Sequence, residues 1–216
     1  MKITPLFRTS GYQTHLHMAL KDAVAEYAKA WEAASRHPPL TEDTATPELT
    51  ILHYTLEQRR AAALLLAAFS VEAVANLYLR FKAKTEQLSL LERASFIEKW
   101  TIVPSLFIPD YTFPKDGELY QDLKRLHARR NALAHLKEDV SVGGEASHPG
   151  STPEYAGDEH VFVARCGTLP TRLVSHLGSF DKSGDLTSIW AFINLADVFS
   201  DASHSPTSAT PDEPRK

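Results

Sequence analysis

The residues whose types and spacing bear on chemistry lie in the run RLHARRNALAHLKE, Arg125 to Glu138 of a 216-residue chain. It combines a guanidinium (Arg130), a carboxamide (Asn131) and an imidazole (His135). An arginine's fixed fork of donors stabilises anionic charge, and an imidazole takes up and returns a proton near neutral pH. On a helix turning about 100° per residue, Leu119, Leu123, Leu126, Arg130 and Leu133 form one stripe, which sets Arg130 inside an apolar face. A charge so placed needs a counter-charge. The row Leu65, Phe69, Glu72 and Asn76 likewise embeds a carboxylate in an apolar face, so the expectation is a Glu72–Arg130 ion pair between two helices, with Asn76 as a second support. A neighbouring row carries Tyr120, His127, Asn131, His135 and Glu138, and makes Tyr120 and His127 candidates for substrate contact. Asn131 and His135 are one turn apart, whereas Arg130 and His135 diverge by about 140°. Those two meet one substrate only if the arginine reaches round or a second copy of the helix faces the first.

These residues need a helical frame, and the first 137 residues supply one. Leu16, Leu20, Ala23, Tyr27, Ala30, Trp31 and Ala34 recur at three- and four-residue steps and predict a helix from Tyr12 to about Ser35. The stretch RHPPLTEDTATPELT breaks it. A second helix is expected from near Thr50 to about Lys84. Its middle, AAALLLAAFSVEAVANLYL, is apolar nearly all round and so belongs at the centre. A third helix is expected from Ser89 to Trp100, opened by a Ser89/Glu92 capping box, and a fourth from Gly117 to about Lys137. Beyond Val140 a Gly-, Ser- and Pro-rich stretch reads as a loop. HVFVARC then fits a short strand, TRLVSHL a strand or a helical turn, and Asp185 to Phe199 returns to helical spacing. ASHSPTSATPDEPRK reads as a disordered tail. The fold class is mainly α, a four-helix up-and-down type bundle with an additional C-terminal helix and a loop-rich insertion.

Arg130-Asn131-Ala132-Leu133-Ala134-His135 resembles the Arg-Asn-x-x-x-His signature of the HEPN superfamily. Its position late in a helical bundle, after a long apolar helix bearing Glu72 and Asn76, is similar to that family's arrangement. The resemblance covers roughly residues 10–137, and divides the chain into an HEPN-like bundle (1–137), a loop-rich insertion (138–184), a packing helix (185–200) and a tail (201–216). It implies a homodimer whose two motif helices line a cleft used for metal-independent RNA cleavage. In that chemistry the RNA's own 2′-hydroxyl attacks, His135 transfers the proton, Arg130 stabilises the phosphate and Asn131 orients phosphate, ribose or His135. The products would be a 2′,3′-cyclic phosphate and a 5′-hydroxyl, with no metal or other cofactor. The implied role is that of a toxin or defence ribonuclease, with an antitoxin or regulatory protein as a further partner. The alternative is a noncatalytic dimer of the same kind that binds RNA, nucleotide or protein.

Composition narrows these readings. With 43% hydrophobic and 23% charged residues, wholly disordered, collagen-like and coiled-coil chains are excluded. The net charge of −4 hides an asymmetry: residues 1–137 carry 18 basic against 15 acidic side chains, and 138–216 carry 5 against 12. An anionic partner therefore belongs with the first part. The apolar window Ala61 to Leu79 is interrupted by Glu72 and Asn76 and flanked by Arg59, Arg60 and Arg80, which suits a buried helix better than a membrane span. The N-terminal run MKITPLFRTSGYQTHLH has no apolar core of a signal peptide, and the single cysteine, Cys166, forms no internal disulfide; a cytoplasmic location is expected. Neither H-E-x-x-H, G-x-G-x-x-G nor a Walker loop occurs, so no zinc hydrolase or nucleotide cradle is indicated.

Overall fold

The computed structural model describes residues 6–134, 156–186 and 189, with side chains from Tyr12 in the first helix and from Asp158 in the sixth. All regular structure among them is helical: α1 (Leu6–Ser35), α2 (Pro47–Lys82), α3 (Thr85–Leu91), α4 (Glu98–Thr101), a 3₁₀ turn (Val103–Leu106), α5 (Glu118–Ala134), α6 (Ala156–Cys166) and α7 (Leu169–Phe180). The mainly α class is therefore as expected. His135, Glu138, the first part of the expected 138–184 insertion (to residue 155), most of the expected 185–200 helix and the expected 201–216 tail lie outside the described residues.

The long helix starts three residues earlier than its periodicity suggested. Thr46 caps it by accepting from the Leu49 N–H at 3.2 Å, and Pro47 takes the first helical position, where its missing N–H costs nothing. As its all-round apolar middle requires, α2 is covered on several sides, by α1, α5, α6 and α7. It is long and apolar enough to cross a membrane, yet 61% of its apolar window is buried inside the bundle. Leu20, Tyr27 and Ala34 of α1, spaced every seven residues, are buried in the core it shares with α2.

The expected third helix is two. α3 ends at Leu91, and a new turn begins at α4, where the Ser95 N–H donates to Glu98 Oε2 (2.8 Å) and the Glu98 N–H donates to Ser95 Oγ (3.3 Å). The reciprocal box is thus Ser95/Glu98 and not Ser89/Glu92. Behind it Trp100 is 1% exposed, and its backbone carbonyl accepts from the Tyr111 hydroxyl.

HVFVARC, expected as a short strand, lies in α6, and TRLVSHL, expected as a strand or a helical turn, lies in α7, so 156–166 and 169–180 of the expected loop-rich insertion are helical. Glu159, Phe162, Val163 and Cys166 are buried together, a helical stripe, as are Leu169, Leu173, Val174 and Leu177. Their corner presses on α1: a Cβ added to Gly167 would lie 3.4 Å from Val24 and 3.3 Å from the Ala164 carbonyl oxygen. Leu186 and Ile189, from the beginning of the expected last helix, are buried in the same core.

Candidate functional site

The site is carried by α5, and its apolar stripe fixes one face. Leu123 and Leu126 are fully buried, with Leu119 and Leu133 packed at the margin. A second set of contacts fixes the helix from the side. Arg165 donates to Glu118 (2.8 Å) and Asp122 (2.9 Å), and Arg172 donates to Asp122 (2.7 Å) and Glu118 (2.8 Å), which closes a ring of two carboxylates and two guanidiniums between α5, α6 and α7. One turn further, buried Glu159 of α6 accepts from Arg125 at 2.6 Å and Arg129 at 2.9 Å, with Arg60 of α2 at 3.8 Å. The Arg125 guanidinium also lies over the Phe162 ring, 4.4 Å from its centroid. α5 therefore has little freedom to rotate or slide.

Arg130 and Asn131 project at the far end of this anchored helix, both half-buried. Arg130 Nη1 donates to Asn131 Oδ1 at 3.1 Å, and Asn131 Nδ2 lies 3.3 Å from His127 Nε2. The His127 ring is stacked on Phe96, with centroids 5.7 Å apart and planes inclined by 22°. One continuous string, Phe96–His127–Asn131–Arg130, results.

The expected Glu72–Arg130 ion pair is not formed. Glu72 accepts instead from Lys99 of α4 at 3.2 Å, and the Lys99 side chain is only 2% exposed. Glu72, half-buried in an apolar row, does meet a cation, but that cation is Lys99. The cation differs because the break between α3 and α4 brings Lys99 onto α2. Among the described residues, the sole hydrogen-bond or ion-pair partner of Arg130 is the neutral amide of Asn131. The other half-buried arginines, Arg60, Arg125, Arg129, Arg165 and Arg172, each hold a carboxylate.

The chain matches no protein-family model, no curated protein and no solved structure. The likeness to the HEPN superfamily thus stands on motif and helix order alone.

Of the remaining sequence-derived candidates, Asn76 lies on α2 with its Oδ1 buried and without a hydrogen-bond partner. Tyr120 is edge-on to Phe113, 6.2 Å between centroids, and its eleven-residue separation from Asn131 corresponds to about 16 Å along the helix, so it does not join the string. His135 lies outside the described residues. Lys99 is the residue the sequence reading passed over; the Ser95-x-x-Glu98 spacing just before it was the available signal. Arg125, Ala128, Arg129 and Ala132 line a shallow surface groove along α5. A cavity of about 10 Å³ between α1 and α2, lined by Gln13, His17 and Ser70 among others, is no larger than a water molecule needs. Among the described residues, no three His, Cys, Asp or Glu side chains converge on a metal position. Cys166 is buried, and that burial raises its thiol far above the usual range, with Asp122 and Glu159 adding to the effect. It carries no reactive thiolate.

Proposed function

We propose that this chain is an HEPN-like, metal-independent endoribonuclease, acting as a homodimer, in which Arg130 holds the scissile phosphate, Asn131 orients it and His135 transfers the proton of the attacking 2′-hydroxyl. One observation carries the reading: Arg130 is the half-buried arginine whose charge meets no carboxylate among the described residues. A half-desolvated guanidinium with donors to spare is unfavourable without an anion, and a phosphate offers the matching bidentate acceptor. Phosphate stabilisation by a prepositioned cation and proton transfer by a histidine are together sufficient for transesterification of RNA, whose nucleophile is its own 2′-hydroxyl.

The test is incubation of the purified protein with single-stranded RNA in chelator. Cleavage should leave 2′,3′-cyclic phosphate ends and fall at least 100-fold in both Arg130→Ala and His135→Ala. Cleavage unchanged in either variant rejects the assignment. RNA binding that needs Arg130 but proceeds without cleavage would favour the noncatalytic binding module instead.

A further inference from the structure

Asn131 joins two partners with opposite needs. Its Oδ1 accepts a hydrogen bond from Arg130 Nη1, which can only donate, so the atom facing His127 is the amide nitrogen. That nitrogen also only donates. His127 Nε2 must therefore present its lone pair, and the ring proton must sit on Nδ1. An imidazolium, or the other neutral tautomer, would set N–H against N–H at 3.3 Å. The stack on Phe96 favours the imidazole plane that faces the amide.

We infer that His127 is a positioning residue: by accepting from Asn131 Nδ2 through Nε2 it locks the carboxamide with Oδ1 toward Arg130, and so fixes the guanidinium for a phosphate. The inference rests on the reading of Arg130 as the phosphate-binding group, and adds a residue outside the Arg-Asn-x-x-x-His signature. Without His127 the amide of Asn131 turns freely, and in half of its orientations it offers Arg130 a donor in place of an acceptor. While the bond to Asn131 stands, the Nε2 lone pair of His127 is occupied. The proton-transfer role therefore belongs to another group, and His127 contributes through Arg130 alone.

The experiment uses the full chain and two readouts. Nitrogen-15 spectra of the labelled imidazoles should show His127 with Nδ1 protonated and Nε2 bare. In Asn131→Leu the proton should move to Nε2, and in His127→Phe, which keeps an aromatic ring on Phe96, the Arg130 Nε–H signal should lose its distinct shift and average. The second readout is affinity for a single-stranded RNA with methylated 2′-hydroxyls, which cannot be cleaved by this route. His127→Phe should weaken binding about tenfold, the order of one lost hydrogen bond. His127→Gln, whose Oε1 can accept from Asn131, should recover most of that loss, and His127→Phe should cost nothing further in an Arg130→Ala background. A proton found on Nε2 in the wild type, or an equal cost of His127→Phe with and without Arg130, overturns the inference. If the wild-type chain binds no RNA, the ribonuclease reading falls by itself and the imidazole and Arg130 spectra still decide the role of His127.

Discussion

At the scale of single residues, the pattern of charge compensation separates supports from candidates for chemistry. Lys99 and Glu72 satisfy each other, with the ammonium almost wholly buried and the carboxylate side chain 33% exposed. Removing the acid leaves a buried cation without its partner, whereas replacing both by apolar groups removes the need for a pair. Glu72→Gln should therefore lower stability by about 2 kcal/mol in urea denaturation, less than the 3–5 kcal/mol of a fully enclosed pair because water reaches the carboxylate. Combining Glu72→Leu with Lys99→Met should regain most of the loss; a double variant as unstable as Glu72→Gln would show that the pair is not what that face of α2 requires. The row that carries His127 and Asn131 was legible in the sequence, and α5 sets the two side chains 3.3 Å apart; His135 of the same row lies outside the described residues. The partner of Glu72 was not legible. Glu72 and Arg130 were visible in the sequence as opposite charges within apolar helix rows, but which cation meets which carboxylate depends on where α3 stops, and a four-residue α4 leaves little periodic trace.

Among elements, α5 owes its placement to a leucine stripe on one side and carboxylate–guanidinium contacts on the other. Asp122 is 2% exposed and accepts from both Arg165 and Arg172, while Glu118 in the same ring is exposed. The buried member matters more, because solvent screens the other and can replace its bonds. Asp122→Asn should cost about 2–3 kcal/mol by chemical denaturation, since an amide has one acceptor oxygen for two guanidiniums and turns N–H groups toward the other, whereas Glu118→Gln should cost no more than about 1 kcal/mol. Equal costs would mean that burial does not govern the ring. The partner α6 was misread from sequence as a strand, and α7 was left open between strand and helical turn, for an identifiable reason. VFV carries β-branched and aromatic residues in a short run, and periodicity over so few positions does not separate strand from helix. The helical stripe emerges only when the polar Glu159 is counted as buried with Phe162, Val163 and Cys166. Its burial depends on Arg125, Arg129 and Arg60, which come from two other helices. By contrast α1 and α2 were nearly complete in the sequence, because long helices repeat their apolar spacing many times; the Thr46-Pro47 start of α2 was read as part of the break before it.

For the whole molecule, two clasps tie distant parts of the chain together and respond to pH in separate windows. In the first, His160 of α6 stacks on Trp31 of α1, with centroids 4.8 Å apart and planes 12° apart, and Tyr27 is 5.7 Å away. Burial lowers the pKa of His160 below its ordinary 6.5, and its Nδ1 has no hydrogen-bond partner. The unfolded chain then binds more protons than the folded one once pH drops below about 6.5, so stability from this contact is complete above that pH and falls below it. In the second clasp, Lys82 at the end of α2 is 2.9 Å from Asp181 and 2.7 Å from Asp185, and the Tyr78 hydroxyl donates to Asp181 at 3.1 Å. Burial alone would raise the Asp181 carboxyl, but hydrogen bonds from Lys82 and Ser183 and the lysine's charge outweigh it and hold the pKa at about 2. Its stabilisation is present above the ordinary carboxylate value of 3.8 and is lost as pH falls from there toward 2. Stability measured by denaturant across pH should therefore fall in two steps, one beginning near 6.5 and one below about 4. His160→Phe, which keeps a ring against Trp31, should flatten the first step and leave the second; Asp181→Asn should do the reverse at a lower overall stability. A first step of undiminished size in His160→Phe would place the proton uptake elsewhere and remove the α1–α6 stack as its origin.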